Sequence, residues 1–240
     1  MDARASPTGA PWTYASDNYN YDAMTGAGDY CVGFYDASQD TSGTWSIHWS
    51  SIWNIDKAKC LTPEITKGYS NLAVGKNLKK EVSAVQSMDT VWNWTATNTE
   101  DIKGCITFDF MMGPTAGDYT SSSVKELMLW LWWTGDDLPI GYAEGPVATI
   151  SLFGKDGWKL YQGMNTQSNQ LVSSLLAPED EMYTGNFEGD LKDWFTALSD
   201  AGQYQVYPST YYVNVGNMGT EAWYGDVTFD FYVSGFELAL

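Results

Sequence analysis

Three carboxylic acids in this sequence stand where strand alternation would aim them at a shared surface. The first, Glu126, opens the run Glu126-Leu127-Met128-Leu129-Trp130-Leu131-Trp132-Trp133. Read as a strand, this run puts Leu127, Leu129 and Leu131 on one face and Glu126, Met128, Trp130 and Trp132 on the other. The leucine face reads as core. The other face is a row of aromatic surface with a carboxylate at one end. The second acid, Asp109, sits between Phe108 and Phe110 in a cleanly alternating stretch over 105–111. Aspartate is disfavoured inside strands, so its place there is unusual. Gly113, Pro114 and Gly117 begin a loop that leads into the Glu126 run. Two consecutive antiparallel strands would then put Asp109 and Glu126 on the same non-core face. The third acid, Glu221, lies in Asn217-Met218-Gly219-Thr220-Glu221-Ala222-Trp223 and points the same way as Trp223. Gly216 and Gly219 permit a bulge or a close backbone approach there. Each acid also has a plainer reading: a buried central strand with Glu126 ion-paired at its edge, a solvated Asp109, and an exposed Glu221 at a loop end.

Two carboxylates facing each other across a groove are the minimum for cleaving a glycosidic bond. One must be ionised, to attack the anomeric carbon or position water. The other must hold a proton for the leaving oxygen. A third acid beside the first orients it and helps to separate the two pKa values. Sugar rings have apolar faces and hydroxylated edges, so flat aromatic surface beside such acids suits them.

The elements that must position these residues read as an all-β fold. The 240 residues fit one large all-β domain or two small domains and are ample for a sizeable core. Short alternating or aromatic runs recur between clusters of Gly, Asn, Asp, Ser and Thr, which is the pattern of a sandwich or barrel. Strands are expected over 18–23, 29–35, 44–53, 69–74, 91–97, 105–111, 124–132, 148–153, 158–163, 170–176, 211–216 and 227–236. So many strands exceed one open twisted sheet, so two packed, curved sheets are expected. Only 186–198 breaks the rhythm. Leu191, Trp194, Phe195 and Leu198 fall on one helical stripe, with acidic Glu188 and Asp190 at its N-terminal end. This predicts a single short amphipathic helix near 188–200, packed on the outside of the sandwich. Residues 1–11 read as an N-terminal tail and 12–240 as one catalytic domain.

Composition excludes several functions. The net charge is −18, with only 12 basic residues, too few for a nucleic-acid surface or for anionic lipid. No apolar run is long enough to span a bilayer, and the start lacks a signal-peptide core. The chain has 12 Trp, 16 Tyr and 9 Phe, more aromatics than a core of this size requires. A neutral polymer is the natural partner. Three cysteines, Cys31, Cys60 and Cys105, allow at most one internal disulfide. The expected arrangement is a Cys31–Cys60 bridge with Cys105 free. With His48 the only histidine, a structural zinc site is not expected. His48 itself reads as a structural residue.

These runs also carry a family resemblance. Glu126-Leu127-Met128-Leu129-Trp130 resembles the Glu-Leu-Met-Ile-Trp nucleophile strand of glycoside hydrolase family 12. Gly219-Thr220-Glu221-Ala222-Trp223 resembles that family's Gly-Thr-Glu-Pro-Phe acid/base segment. Phe108-Asp109-Phe110 is similar to its strand bearing an auxiliary aspartate. Leu138-Pro139-Ile140-Gly141 resembles its Gly-Pro-Ile-Gly loop beside the cleft, and Gly189-Asp190-Leu191-Lys192-Asp193-Trp194-Phe195 its only helix. The five occur in the family's order and cover roughly 82–236. The resemblance implies a curved β-sandwich, or jelly roll, of two antiparallel sheets. It implies an extracellular monomer that hydrolyses internal bonds of β-1,4-glucan with retention, without cofactor or metal. Carried over, Glu126 is the nucleophile, Glu221 the acid/base and Asp109 the auxiliary partner bonded to Glu126. Met128 and Trp130, with Trp132 on the same face, floor the cleft, and Trp223 contacts the leaving-group side. A xyloglucan-specific enzyme and a non-catalytic glucan-binding module are the alternatives. The first third departs from the family. Its Cys-Gly-Gln-Trp opening is missing. Its Asn-Asn-Leu-Trp-Gly is at best Tyr19-Asn20-Tyr21-Asp22-Ala23-Met24, with no tryptophan at the sugar-stacking position. Asn20 is the substrate-contacting residue this match implies, and Tyr19, Tyr21 or Trp12 could replace the missing ring.

Overall fold

The computed structural model describes residues 3–240. Among them run fourteen strands: β1 (Ala3–Ala5), β2 (Trp12–Asp17), β3 (Gly28–Gln39), β4 (Trp45–Ile55), β5 (Gly68–Val74), β6 (Lys80–Glu81), β7 (Asp89–Ala96), β8 (Lys103–Gly113), β9 (Lys125–Thr134), β10 (Ala148–Leu152), β11 (Lys155–Asn165), β12 (Gln170–Leu176), β13 (Asn186–Asp190) and β14 (Tyr212–Gly235). The single α-helix among these residues, α1 (Leu191–Ala197), precedes β14.

The strands form two layers that share one member. The first layer runs β1-β2-β5-β14-β8-β9-β12-β11-β10. The second runs β3-β4-β14-β7-β13. The first part of β14 lies between β5 and β8, and the rest lies between β4 and β7. The change of layer falls at Gly225, with φ of 125°. A Cβ there would lie 2.4 Å from the Ile102 Cγ2 atom, so only glycine can make that bend at this contact. The two segments expected at 211–216 and 227–236 are therefore one continuous strand. Among the described strands the pairings are antiparallel except β9 with β12, which is parallel.

Alternation buries one side of each layer against the other. Phe108 and Phe110 of β8 and Leu127 and Leu129 of β9 turn inward, as do Trp92 of β7 and Phe229 and Phe231 of β14. Trp92 meets Phe108 edge-on at 5.1 Å between ring centres. Helix α1 adds Trp194 and Phe195, both in contact with Phe110. The helix is shorter than expected. Residues 186–190 pair with β7 instead, and Asp190 caps the helix, its Oδ1 accepting from the Lys192 amide at 2.9 Å and from the Met88 amide at 2.7 Å. Phe110→Ala would leave a void under Trp194, Phe195 and Phe236. It should cost about 3–5 kcal/mol, read as a lower urea midpoint with an unchanged slope. A midpoint within error of the parent would contradict this packing.

Other expectations need correction. Residues 18–23 are not a strand: Tyr21–Met24 is a 3₁₀ turn, and the strand lies just before it, at β2. Residues 3–5, read as part of a tail, pair with β2 as an edge strand. The three cysteines are free thiols. Cys31 is exposed on the edge strand β3, whereas Cys60 is buried and its Sγ donates to the Ala23 carbonyl at 3.5 Å. Their side chains serve different surroundings and no bridge forms. His48 is stacked between Tyr35 and Tyr232, at 4.2 and 4.1 Å, and lies apart from the cleft described below.

Candidate active site

Strand β8 sets the register of the acids. Asp109 stands opposite Met128 of β9 and opposite Asn217 of β14. Met111, two residues on, stands opposite Glu126, and Cys105, four residues back, stands opposite Glu221. The inward faces hold Phe108, Phe110, Leu127, Leu129 and Met218, all with no exposed surface. Burying those side chains leaves Asp109, Glu126 and Glu221 on the open face. All three line one cleft of about 570 Å³, within the range of sites for small ligands. Met128, Trp130 and Trp223 line it as well. Trp130 is only 2% exposed and packs edge-on to Trp133 at 6.4 Å, so it supports the floor more than it offers a ring face.

Trp132 does not reach this cleft. Thr107 pairs with Trp130, and the next residue back, Ile106, pairs with Trp132. Leu131 is thus the extra residue of a β-bulge, and the alternation slips by one beyond it. Trp132 turns inward onto Phe229 at 5.8 Å, and Trp133 takes the outer face. A bulge of this kind has no mark in a run of large apolar residues. Trp12 is also core: it is 1% exposed and its Nε1 donates to the Phe236 carbonyl at 3.0 Å. Tyr21 is outside the cleft lining, whereas Tyr19 and Asn20 are part of it. The Asn20 side chain donates to the Thr66 carbonyl at 2.8 Å, pinning the 18–22 loop to the cleft wall.

The three acids stand half-buried along this one cleft. Burial alone raises the Glu126 carboxyl from 4.5 to about 7. Asp109 is pushed well above the usual carboxylate range by burial, then by the charges of Glu126, Glu221 and Asp17. Its Oδ1 has no hydrogen-bond partner within the described residues. Glu221 is raised by burial and then by the charges of Asp137 and Glu126. Donors from Cys105, at 3.8 Å from Oε2, and from the phenol of Tyr19 partly offset this. Tyr19 is 52% exposed overall, but its hydroxyl end reaches Glu221. Mutually repelling acids gathered in one cleft disfavour joint ionisation, which favours retention of a proton among them. A carboxylate and a carboxylic acid side by side can perform paired attack and protonation.

Sequence reading missed Tyr69 and Asp137. Tyr69 stands opposite Glu221 on β5 and donates to the Thr107 carbonyl at 3.0 Å. Its alternation with Asn71 in 68–74 was the available signal. Asp137 lies in Gly135-Asp136-Asp137, which reads as an ordinary turn. The hairpin tip 164–168 also lines the cleft, and its polar composition resembles any loop.

Known proteins share this architecture. The catalytic domain of Humicola grisea Cel12A, solved with a soaked thio-cellotetraose, superposes with a TM-score of 0.79 at 24% identity, covering 100% of this chain and 99% of that one. A family 12 xyloglucanase from Bacillus licheniformis gives 0.71 at 17% identity, over 96% of this chain and 97% of that one. By sequence, a xyloglucan-specific endo-beta-1,4-glucanase A of Aspergillus aculeatus is 31% identical over 175 residues, 73% of this chain and 65% of the relative. Endoglucanase A of Aspergillus kawachii is 28% identical over 227 residues, 93% of this chain and 84% of the relative. The match to a xyloglucan-specific relative in Aspergillus niger spans 64% of that protein's length. The profile of Glycosyl hydrolase family 12 covers residues 12–238, and the chain belongs to that family.

Proposed function

We propose that this protein is a retaining endo-β-1,4-glucanase acting on internal bonds of cellulose or β-glucan outside the cell, as a monomer and without a cofactor. The observation that carries the reading is the convergence of Asp109, Glu126 and Glu221 on one cleft, with their carboxyls held above the ordinary range. In the first step an ionised Glu126 oxygen bonds to the anomeric carbon. The bond to the departing glucan oxygen breaks as that oxygen takes the proton of Glu221. In the second step Glu221 removes a proton from water, whose oxygen displaces Glu126 from the anomeric carbon. Asp109, protonated, steadies Glu126 through the cycle. Retention calls for carboxyl groups about 5–5.5 Å apart when substrate is bound.

Reducing ends released from carboxymethylcellulose, mixed-linkage β-glucan, xyloglucan and xylan test the substrate class. The β-glucans should be cut and xylan should not. Proton NMR of the first products should show the β-anomer ahead of its equilibrium with α. Initial release of the α-anomer would overturn the double displacement. A second reading, xyloglucan as the preferred substrate, is favoured by the names of several relatives. A higher kcat/KM on xyloglucan than on unbranched β-glucan in the same panel would establish it.

A further inference from the structure

Behind Glu221 lies a second carboxyl that the proposed reaction does not use. After β9, Gly135 (φ 72°) and Asp136 (φ 57°) both adopt the left-handed conformation, and the chain doubles back onto the start of β8. A Cβ on Gly135 would stand 2.6 Å from the Ile102 carbonyl oxygen, so the reversal is tight. It buries Asp137 completely, at 0% exposed. Neither Asp137 oxygen has a well-aligned hydrogen-bond partner among the described residues. Around it stand the Lys103 ammonium, the Cys105 thiol and the Leu138 amide. Lys103 also serves Glu64, at 3.3 Å. A buried carboxyl so thinly satisfied is costly and calls for an explanation.

Cys105 links this group to the cleft. It has no exposed surface, stands opposite Glu221 in the ladder, and donates its thiol proton to Glu221 Oε2 at 3.8 Å. One thiol proton now lies between two carboxyls, and it can serve only one at a time. We propose that Asp137 is a positioning residue that keeps Glu221 in its proton-donating form, while the Cys105 thiol between them exerts the opposite pull. The inference rests on Glu221 being the proton donor of the reaction.

Two effects of opposite sign act on Glu221. Burial pushes the Asp137 carboxyl well above its ordinary range, and the Lys103 ammonium, the Cys105 thiol and the Leu138 amide work against that shift. Once ionised, Asp137 disfavours a second charge beside it and so holds the proton on Glu221; among the charges acting there it stands ahead of Glu126. The Cys105 donor stabilises the Glu221 carboxylate and so loosens that proton. The other titratable groups facing Glu221 are Tyr19 from the 18–22 loop, Tyr69 from β5, Asp109 from β8 and Glu126 from β9. Burial and the nearby acids hold both tyrosines above their ordinary range, so they stay neutral. Asp17 on β2 acts on Asp109 and on both tyrosines.

The pH profile of kcat/KM, which reports ionisations of the free enzyme, separates the two effects. In Asp137→Asn the charge is lost and the shape kept. Its alkaline limb should move to lower pH, leaving activity at a fixed pH on that limb about tenfold below the parent. In Cys105→Ala the donor is lost, and the limb should move the other way. Cys105→Ser restores a donor and should bring the limb back. If Asp137→Asn does not fold, Asp137→Ser, which also removes the charge, takes its place and should move the alkaline limb in the same direction. Limbs that coincide with the parent's, or that move in one direction in both Asp137→Asn and Cys105→Ala, overturn the proposal. A Glu221→Gln control isolates the underlying reading. If that variant keeps the parent's alkaline limb, Glu221 is not the donor. If it loses the limb while Asp137→Asn keeps it, only the role of Asp137 falls.

Discussion

Glu126→Gln should lower kcat on β-glucan by about 10⁴-fold or more and leave the fold intact. The amide fills the same volume on β9, between Met111 of β8 and Val172 of β12, but it cannot form the glycosyl ester. The same substitution should raise heat stability in a pH-dependent way. Burial lifts the Glu126 carboxyl from 4.5 to about 7, so the folded chain holds this proton more tightly than the unfolded chain. Stability from that preference is full below pH 4.5 and is lost as pH rises through about 7. Glutamine has no charge to lose. Glu126→Gln should therefore melt above the parent at pH 8, and the gap should close toward pH 4. Differential scanning calorimetry at both pH values, beside reducing-end assays, reads both effects. A folded variant that turns over at the parent rate would remove Glu126 from the nucleophile role. A parent that gains stability from pH 4 to 8 relative to the variant would contradict the burial of its carboxyl.

Glu221→Gln should cut kcat/KM on glucan by about 10³-fold, and the loss should depend on the leaving group. A glucan oxygen is a poor leaving group and needs the proton that Glu221 supplies. A nitrophenol leaves as the phenolate, so an aryl cello-oligosaccharide should lose far less in its first step. The second step would then be slow, because no base activates water. Added azide, which attacks without deprotonation, should restore turnover and yield a β-glycosyl azide. Equal losses on both substrates, with no azide product, would show that Glu221 only maintains the site. Its setting favours the first outcome. Tyr19 and Cys105 hold the carboxyl in place, whereas burial and the nearby charges keep it protonated.

Most of this site was legible from alternation because side chains on a strand must choose between two faces. Asp109 between Phe108 and Phe110, and Glu126 before Leu127, could reach the open face only if the apolar partners went inward. That logic fails where the ladder gains or loses a residue. The bulge at Leu131 redirects Trp132 and Trp133, and nothing in a stretch of leucines and tryptophans marks the slip. It fails again at the glycines of β14. Gly216, Gly219 and Gly225 look like loop residues in a sequence, but they lie in a single strand that bends from one layer into the next. The N-terminal third was least legible. Its aromatic residues alternate over 18–23, yet the backbone turns there, and the Tyr19 hydroxyl reaches the cleft from a loop. Asp137 was hidden for a different reason. Composition marks it as turn, and its burial depends on packing contacts with the start of β8 that no local pattern encodes.

The shared strand β14 also constrains how the chain can be made. Residues 212–235 emerge from the ribosome after every strand they join. Until then β5 and β8 lack the ribbon between them, and so do β4 and β7. Each nascent half exposes open strand edges, which invite pairing with other chains. Neither half can close first, since one late segment completes both. Acquisition of structure should accordingly be slow and concerted, governed by contacts between distant parts of the chain.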